Sequence, residues 1–378
     1  MPGGVFIEKS ALESYKEDVE RLKGLADTLS AVFKNYPQLF NTSVWFKLKY
    51  LDTYRLTSEG LRMRVPTKEI TLESEACCSM KGEDAVGERL TLHYYDCGDL
   101  PPTDSLIAEI GRFASRTIAK SRNALPDDLE YMGPVLYEQR TIWPAFRDVI
   151  QDNISCNLDM RRQKYDNSYK KIGKSVLNRD VSVWQTVTDS VCNGHRLFKY
   201  RKYDTDGIAR AKVELIRNGV LVNQLSGRTP SPAVQKSTGN ERLPGPGIGE
   251  IVDDGRGVLR ISFNKTTSYQ KLVKKLIRLA KNMKQDYAYI IMGSGGCEEV
   301  VRLNVRTGKR EDLRLNYKYE TYPHGLQLMG DMWASKEISA DGYMSVIHPK
   351  AVLFPMLEIE FEEPNPMKCS RIFLKLRH

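Results

Sequence analysis

Apolar side chains recur at helical spacing from the start of the chain. Leu12, Tyr15, Val19, Leu22, Leu25, Leu29 and Val32 predict a helix over 9–34, with Ser10 as its cap and Pro37 as its stop. From Val44 to about Tyr95 the period drops to two. Three β-rich runs, broken at Glu59-Gly60 and Lys81-Gly82, predict a small antiparallel meander. Pro101-Pro102 and Asp104 then introduce a second helix over roughly 104–120, with Leu106, Ile107, Ile110, Phe113 and Ile118 on one face. Helix, strands and helix in that order make an α+β layer.

Asn123 to Asp128 is the natural boundary, which divides the chain into residues 1–125 and 126–378. Beyond it, the apolar run from Tyr131 to Glu138 reads as extended and Thr141 to Ile154 as a helix. The polar stretch 155–175 reads as a surface loop. Strand-like segments follow at 176–188, 197–204 and 208–217, the last ending in the hairpin signal Asn218-Gly219. Residues 226–257 are rich in glycine and proline, and loops of that length are usually functional or disordered. Ser268 opens the clearest helix, 268–284, with Leu272, Leu276, Leu279 and Met283 on its core side and lysines opposite. The pattern alternates again through 298–316 and 351–375.

Composition changes this picture only locally. Hydrophobic residues are 41% and charged residues 28% of the 378, which suits a globular chain of two domains. No run of 18 apolar residues exists, and the first 20 lack a signal-peptide pattern, so a cytoplasmic location with no membrane is expected. Seven cysteines with no CxxC pair fit a reduced compartment. The net charge of +9 is concentrated: residues 256–318 carry 15 Lys and Arg against 5 Asp and Glu. Such a block suits a nucleic-acid or anionic partner, although a solvated helix face and hairpin account for it more simply.

Standard catalytic signatures are absent. Ile172-Gly173-Lys174-Ser175 ends like a phosphate loop, but Ser168 stands where the first glycine is required. No GxSxG elbow occurs, and the five histidines (93, 195, 324, 348 and 378) are isolated, with no pair at metal-binding spacing. Asp204, Asp206 and Glu214 surround a glycine turn and could hold a cation, but acidic residues there are usually turn formers.

One set of segments is more specific. Tyr203-Asp204-Thr205-Asp206-Gly207, Leu215 to Leu221, Arg228-Thr229 and Ser237 to Arg242 occur in an order and spacing that resemble the TldD/PmbA family of metallopeptidases. Tyr131 to Glu138 resembles the start of that family's C-terminal domain, and Ser345-Val346-Ile347 with Leu353-Phe354 its closing strands. The resemblance covers roughly 125–360, and the upstream helices and the Ser58-Glu59-Gly60 turn look like part of the family's N-terminal domain. It implies an α+β fold, with a truncated-looking N-terminal helix and antiparallel-sheet layer domain followed by a β-rich C-terminal domain with a few helices.

Active members of the family carry HExxxH on the helix after the GPVL-like strand, and a C-terminal cysteine as third zinc ligand. Here that helix places Phe146, Arg147 and Gln151 at the corresponding positions, and the cysteine region offers only His348, with Cys369 beyond it. Phenylalanine cannot coordinate zinc and arginine cannot act as general base. The resemblance therefore implies no metal, no cofactor and no catalytic residue. It implies a TldE-like subunit that shapes a peptide-binding cleft, as a homodimer or as a heterodimer with a zinc-bearing TldD-like subunit. Arg228, Thr229, Ser237, Thr238 and Asn240 are the expected peptide- or partner-binding residues, suited to a strand-edge groove. The alternatives are an autonomous metallopeptidase with a rearranged site and a nucleic-acid or anionic-partner module using 256–318.

Overall fold

A computed structural model describes residues 4–79, 85–122, 130–155, 168–228, 234–241, 243–244, 251–253, 255–294, 297–313, 316–321 and 330–362. The first helix is α1 (Tyr15–Ser30), extended at both ends by 3-10 turns at Ala11–Ser14 and Ala31–Asn35. Ser10 caps the first of these by accepting from the Leu12 N–H at 3.2 Å. The meander is there too, with its three strands broken close to the expected positions and the first starting earlier, at Leu39. Strand β2 (Leu39–Leu56) pairs with β3 (Arg62–Ser79), which pairs with β4 (Ala85–Tyr94), all antiparallel.

A short strand that the sequence reading missed, β1 (Val5–Ile7), lies parallel to β3 beside Arg62 to Arg64. Helix α2 (Thr103–Arg122) and the end of α1 bury Leu29, Phe33, Leu106, Ile110 and Phe113 against Leu72, Ala76, Leu90 and Leu92. Both helices thus cover one face of the sheet. Alternation turns Met63, Val65, Glu69 and Thr71 to the other face.

Among the described residues the remainder is built on two larger sheets. Strand β5 (Glu130–Glu138) lies inside an eight-stranded sheet, between Ala351–Glu362 (antiparallel) and Tyr287–Ser294 (parallel). This sheet is buried on both faces. Val135 and Tyr137 enter one core with Tyr289, Ile291, Val352 and Phe354, while Leu136 enters another with Ala288, Ile290, Ala351 and Leu353. Double burial is why these segments read as unbroken apolar runs and not as alternating ones.

The second core is closed by α4 (Tyr269–Asn282), through Leu272, Leu276 and Ala280. Ser268 sits at its N-cap position but makes no capping bond through its side chain. The lysines of α4 point outward, except that Lys275 packs over Trp333 at 4.0 Å, where burial and then Arg278 lower its pKa. No helix among the described residues is long and apolar enough to cross a membrane.

A six-stranded sheet, centred on Val181–Thr186 and Val258–Phe263, packs over the first core with α3 (Ile142–Ile154) between. Helix α3 contributes Ile142, Trp143, Ala145, Phe146, Ile150 and Ile154 to that core. The Asn218-Gly219 turn forms as expected, with both residues at positive φ, between Val213–Arg217 and Val220–Leu221. Residues 197–204 are not a strand. They run irregularly into the turn at Asp204, and 208–212 connect that turn to the strand at Val213. The expected boundary at 123–128, most of the 155–175 loop and the end of the 351–375 segment lie outside the described residues.

Candidate functional site

Side chains from the resembling motifs meet where the loop 203–209 abuts the N-terminal sheet. The turn is organised by Asp204, which is 2% exposed. Its Oδ1 accepts from the N–H groups of Asp206 (3.0 Å) and Ile208 (2.9 Å), and its Oδ2 from that of Glu241 (3.0 Å). At its tip Gly207 has φ +74°, and an added Cβ would lie 2.9 Å from Leu61 and 3.2 Å from Phe6. Only glycine combines that backbone with so close an approach. Asp206, next to it, is ion-paired with Arg55 of β2 and, at 2.9 Å, with Arg228.

Arg228 also donates to Glu59 at 2.8 Å, in the turn between β2 and β3. Arg228, expected to bind a peptide or a partner, is here held by two carboxylates of its own chain. Asp204 and Asp206 are likewise committed, one to backbone donors and one to two arginines. Neither is left to gather around a cation.

The other expected binding residues divide. Thr229 lies outside the described residues. Thr238 accepts from the Ser226 N–H at 2.8 Å and donates to Asn240 Oδ1, also at 2.8 Å. Asn240, 2% exposed, exchanges amide bonds with Gln185 at 2.7 and 3.0 Å and donates to the Gly255 carbonyl. These side chains stitch the 226–241 loop to the six-stranded sheet. Ser237 is half-buried, with its hydroxyl on the Gly239 N–H at 3.1 Å.

Helix α3 carries the positions at which the resemblance places zinc ligands, and its residues do not fit the metal. Phe146 is fully buried, 6.0 Å from the Phe263 ring and 5.4 Å from that of Phe354. Arg147 is turned outward and paired with Asp148. With its amide oriented to satisfy both atoms, Gln151 accepts from the two terminal nitrogens of Arg256 at 2.9 and 3.0 Å. Arg256, only 7% exposed, also lies over the Trp143 ring at 5.7 Å. A guanidinium thus stands against the flank of the helix where a metal would need electron-pair donors. Among the described residues no three His, Cys, Asp or Glu side chains cluster to hold an ion.

His348 is 1% exposed in the strand Val346–Pro349, with Nδ1 2.8 Å from the Pro349 carbonyl. Burial lowers its pKa, so the neutral form is folded in. The native state then binds fewer protons than the unfolded chain below the unfolded value of about 6.5. Stability should be unaffected by this group above that pH and fall below it, by up to about 1.4 kcal/mol per pH unit. Denaturation midpoints between pH 5 and 8 should show this limb in the wild type and a flatter one in His348→Gln.

Two cavities line the junction with the 190–203 segment, the larger against the helix-free face of the N-terminal sheet and the smaller beside α2, at Ser105, Glu109 and Arg112. One, of about 600 Å³, is floored by Met63 and Val65, and the other, of about 450 Å³, is reached by His93 and Tyr343. They share Tyr95, Arg196 and Phe198 as a partition. Arg196 lies over the Tyr95 ring at 4.4 Å and is paired with Asp96 (3.2 Å) and Asp99 (3.5 Å). Burial, then Asp96, raises the Asp99 pKa. In the smaller cavity His93 stacks on Tyr343 at 3.9 Å and approaches Glu69 at 3.4 Å, a hydrogen bond that lowers the Glu69 pKa. Nothing in the sequence singled out this junction, because its walls come from segments a hundred residues apart.

The family described as the PmbA/TldA metallopeptidase C-terminal domain matches residues 145–294. No curated protein matches the chain in sequence. Similar solved structures include a candidate modulator of DNA gyrase from Thermotoga maritima, with TM-score 0.60 at 15% identity, covering 93% of this chain and 77% of that one. Another, of the same description, comes from Bacteroides thetaiotaomicron, with TM-score 0.60 at 11% identity over 92% and 73% of the two chains. TldE from Thermococcus kodakarensis aligns with TM-score 0.56 at 15% identity, covering 95% and 79%. At these identities the structures speak for the fold.

Proposed function

Because the chain belongs to the TldD/PmbA family, we propose that it is a peptidase-related protein of the non-catalytic, TldE-like kind, acting beside a metal-bearing partner. In this reading residues 1–125 and 126–378 are its two domains, and the protein works in the cytoplasm as half of a dimer. The observation that carries it is the α3 flank. Phe146 is spent on the aromatic core and Gln151 on Arg256, and Arg147 stands where the base would be, so these three positions offer zinc no pair of ligands and water no general base. Peptide capture and partner contact remain the roles for a chain of this fold, and its likeness to TldE supports them.

Metal analysis tests the reading directly. The chain purified alone should hold only traces of zinc and should not hydrolyse peptides. Zinc and activity should appear when a TldD-like partner co-purifies. One tightly bound zinc per chain, lost when His348 is replaced, would overturn the non-catalytic role and favour an autonomous peptidase with a rearranged site.

A further inference from the structure

We propose that the larger junction cavity is a docking site for an acidic peptide segment with apolar or aromatic side chains. The inference rests on the peptide-binding reading and goes beyond it by placing the peptide away from α3 and from the 226–241 loop. The cavity has the size of a ligand site and is lined by two kinds of surface. Phe6, Met63, Val65, Tyr95 and Phe198 supply apolar and aromatic walls, which suit the side chains of an extended segment. Three cations, Arg196, Arg201 and Lys202, face one carboxylate, that of Glu8.

The cations differ in what they have left to give. Arg196 is balanced by Asp96 and Asp99, and Arg201 donates to the Thr67 hydroxyl at 3.4 Å. Lys202 is exposed beside the loop that ends in the Asp204 turn, and no described carboxylate pairs with it. With Arg196 neutralised in this way, the cation left for a ligand is the Lys202 ammonium, which stands at the rim of the cavity where a carboxylate can reach it. A basic peptide would meet the same cations and be repelled. The walls are held in place by contacts between the two parts of the chain: Phe6 meets Tyr203 at 4.5 Å and Tyr95 meets Phe198 at 5.6 Å. A rigid, donor-rich site of this kind binds with little ordering cost.

The test uses calorimetric titration of the full chain with a blocked hexapeptide alternating glutamate and phenylalanine, and with its lysine counterpart. The acidic peptide should bind about tenfold or more tightly than the basic one, and more weakly as salt is raised. Lys202→Glu should cost about tenfold in affinity for the acidic peptide, and Glu8→Lys should improve it, with melting temperatures unchanged for both exposed positions. Equal binding of both peptides, untouched by either variant, would overturn the cavity while leaving peptide capture standing. Failure of both peptides to bind would remove the peptide reading along with it. Tighter binding of a thymidine hexanucleotide than of the acidic peptide, abolished by Lys202→Glu, would overturn the proposal in favour of nucleic acid.

Discussion

Replacing Phe146 with histidine should destabilise the protein by about 3 kcal/mol and should not create a zinc site. The ring is fully buried between Phe263 and Phe354, in the core shared by the two large sheets and α3. A smaller imidazole there leaves a cavity, loses ring contacts and brings two polar nitrogens into an apolar site. Adding Arg147→Glu and Gln151→His would complete the family's motif in sequence. Arg256, nearly buried against Trp143, would still place its positive charge beside the new ligands. The triple variant should therefore unfold at lower denaturant than the wild type and gain nothing from added zinc. Uptake of one zinc per chain, with a raised melting temperature, would mean that the α3 flank is a latent metal pocket and that Arg256 does not exclude the metal from it.

How far the sequence disclosed this arrangement depends on the range of the interactions. Helices α2 and α4 were legible because one apolar face at a 3.6-residue period buries against a sheet, and their ends fall within two residues of the expected ones. The apolar run at 131–138 read correctly as extended, and the structure supplies the reason: alternate residues enter different cores. Segment 197–204 misled, since its alternation of apolar and basic residues mimics a strand. In the fold, Leu197 and Tyr200 pack with Cys192 and Val258 and also line the cavity with Arg201 and Lys202, so a loop running along a junction carries apolar and basic residues as a half-buried strand does. Strand β1 was invisible because three residues carry too little pattern, and what fixes it is pairing with Arg62 to Arg64.

The site was legible in kind but not in partners. Arg228 stands out in the sequence as a binding residue, yet its carboxylates lie in the same chain, 169 positions away at Glu59 and in the turn at Asp206. Thr238 and Asn240 stood out as polar residues in a motif. Only the tertiary structure reveals that Gln185 and Gly255 consume the hydrogen bonds of Asn240, and Ser226 and Asn240 those of Thr238. The loss of ligands at 146, 147 and 151 could be read directly, whereas the guanidinium that stands beside them could not.

The same long-range logic predicts that Asp204 is the most sensitive polar position in the junction. Its carboxylate serves three backbone donors at once, those of Asp206, Ile208 and Glu241, and it is almost wholly buried. Charge-assisted bonds of this type contribute about 1.5–3 kcal/mol each, and less than their sum when they act together. Asp204→Ala should thus cost about 3–4 kcal/mol, because three N–H groups lose their acceptor where little water can replace it. Asp204→Asn keeps an oxygen for the Asp206 and Ile208 donors and loses only the bond to Glu241, so about 1–1.5 kcal/mol is expected. The damage should spread to the N-terminal sheet. Asp206 and Gly207, which the turn presents to Arg55, Arg228, Leu61 and Phe6, would no longer be held against the β2–β3 hairpin. A glutamate-specific protease should then cut at Glu59 faster in Asp204→Ala than in Asp204→Asn, and slowest in the wild type. If the alanine variant instead melted with the wild type while Asp206→Ala did not, the arginine pairs and not the turn would be what holds the two parts of the chain together.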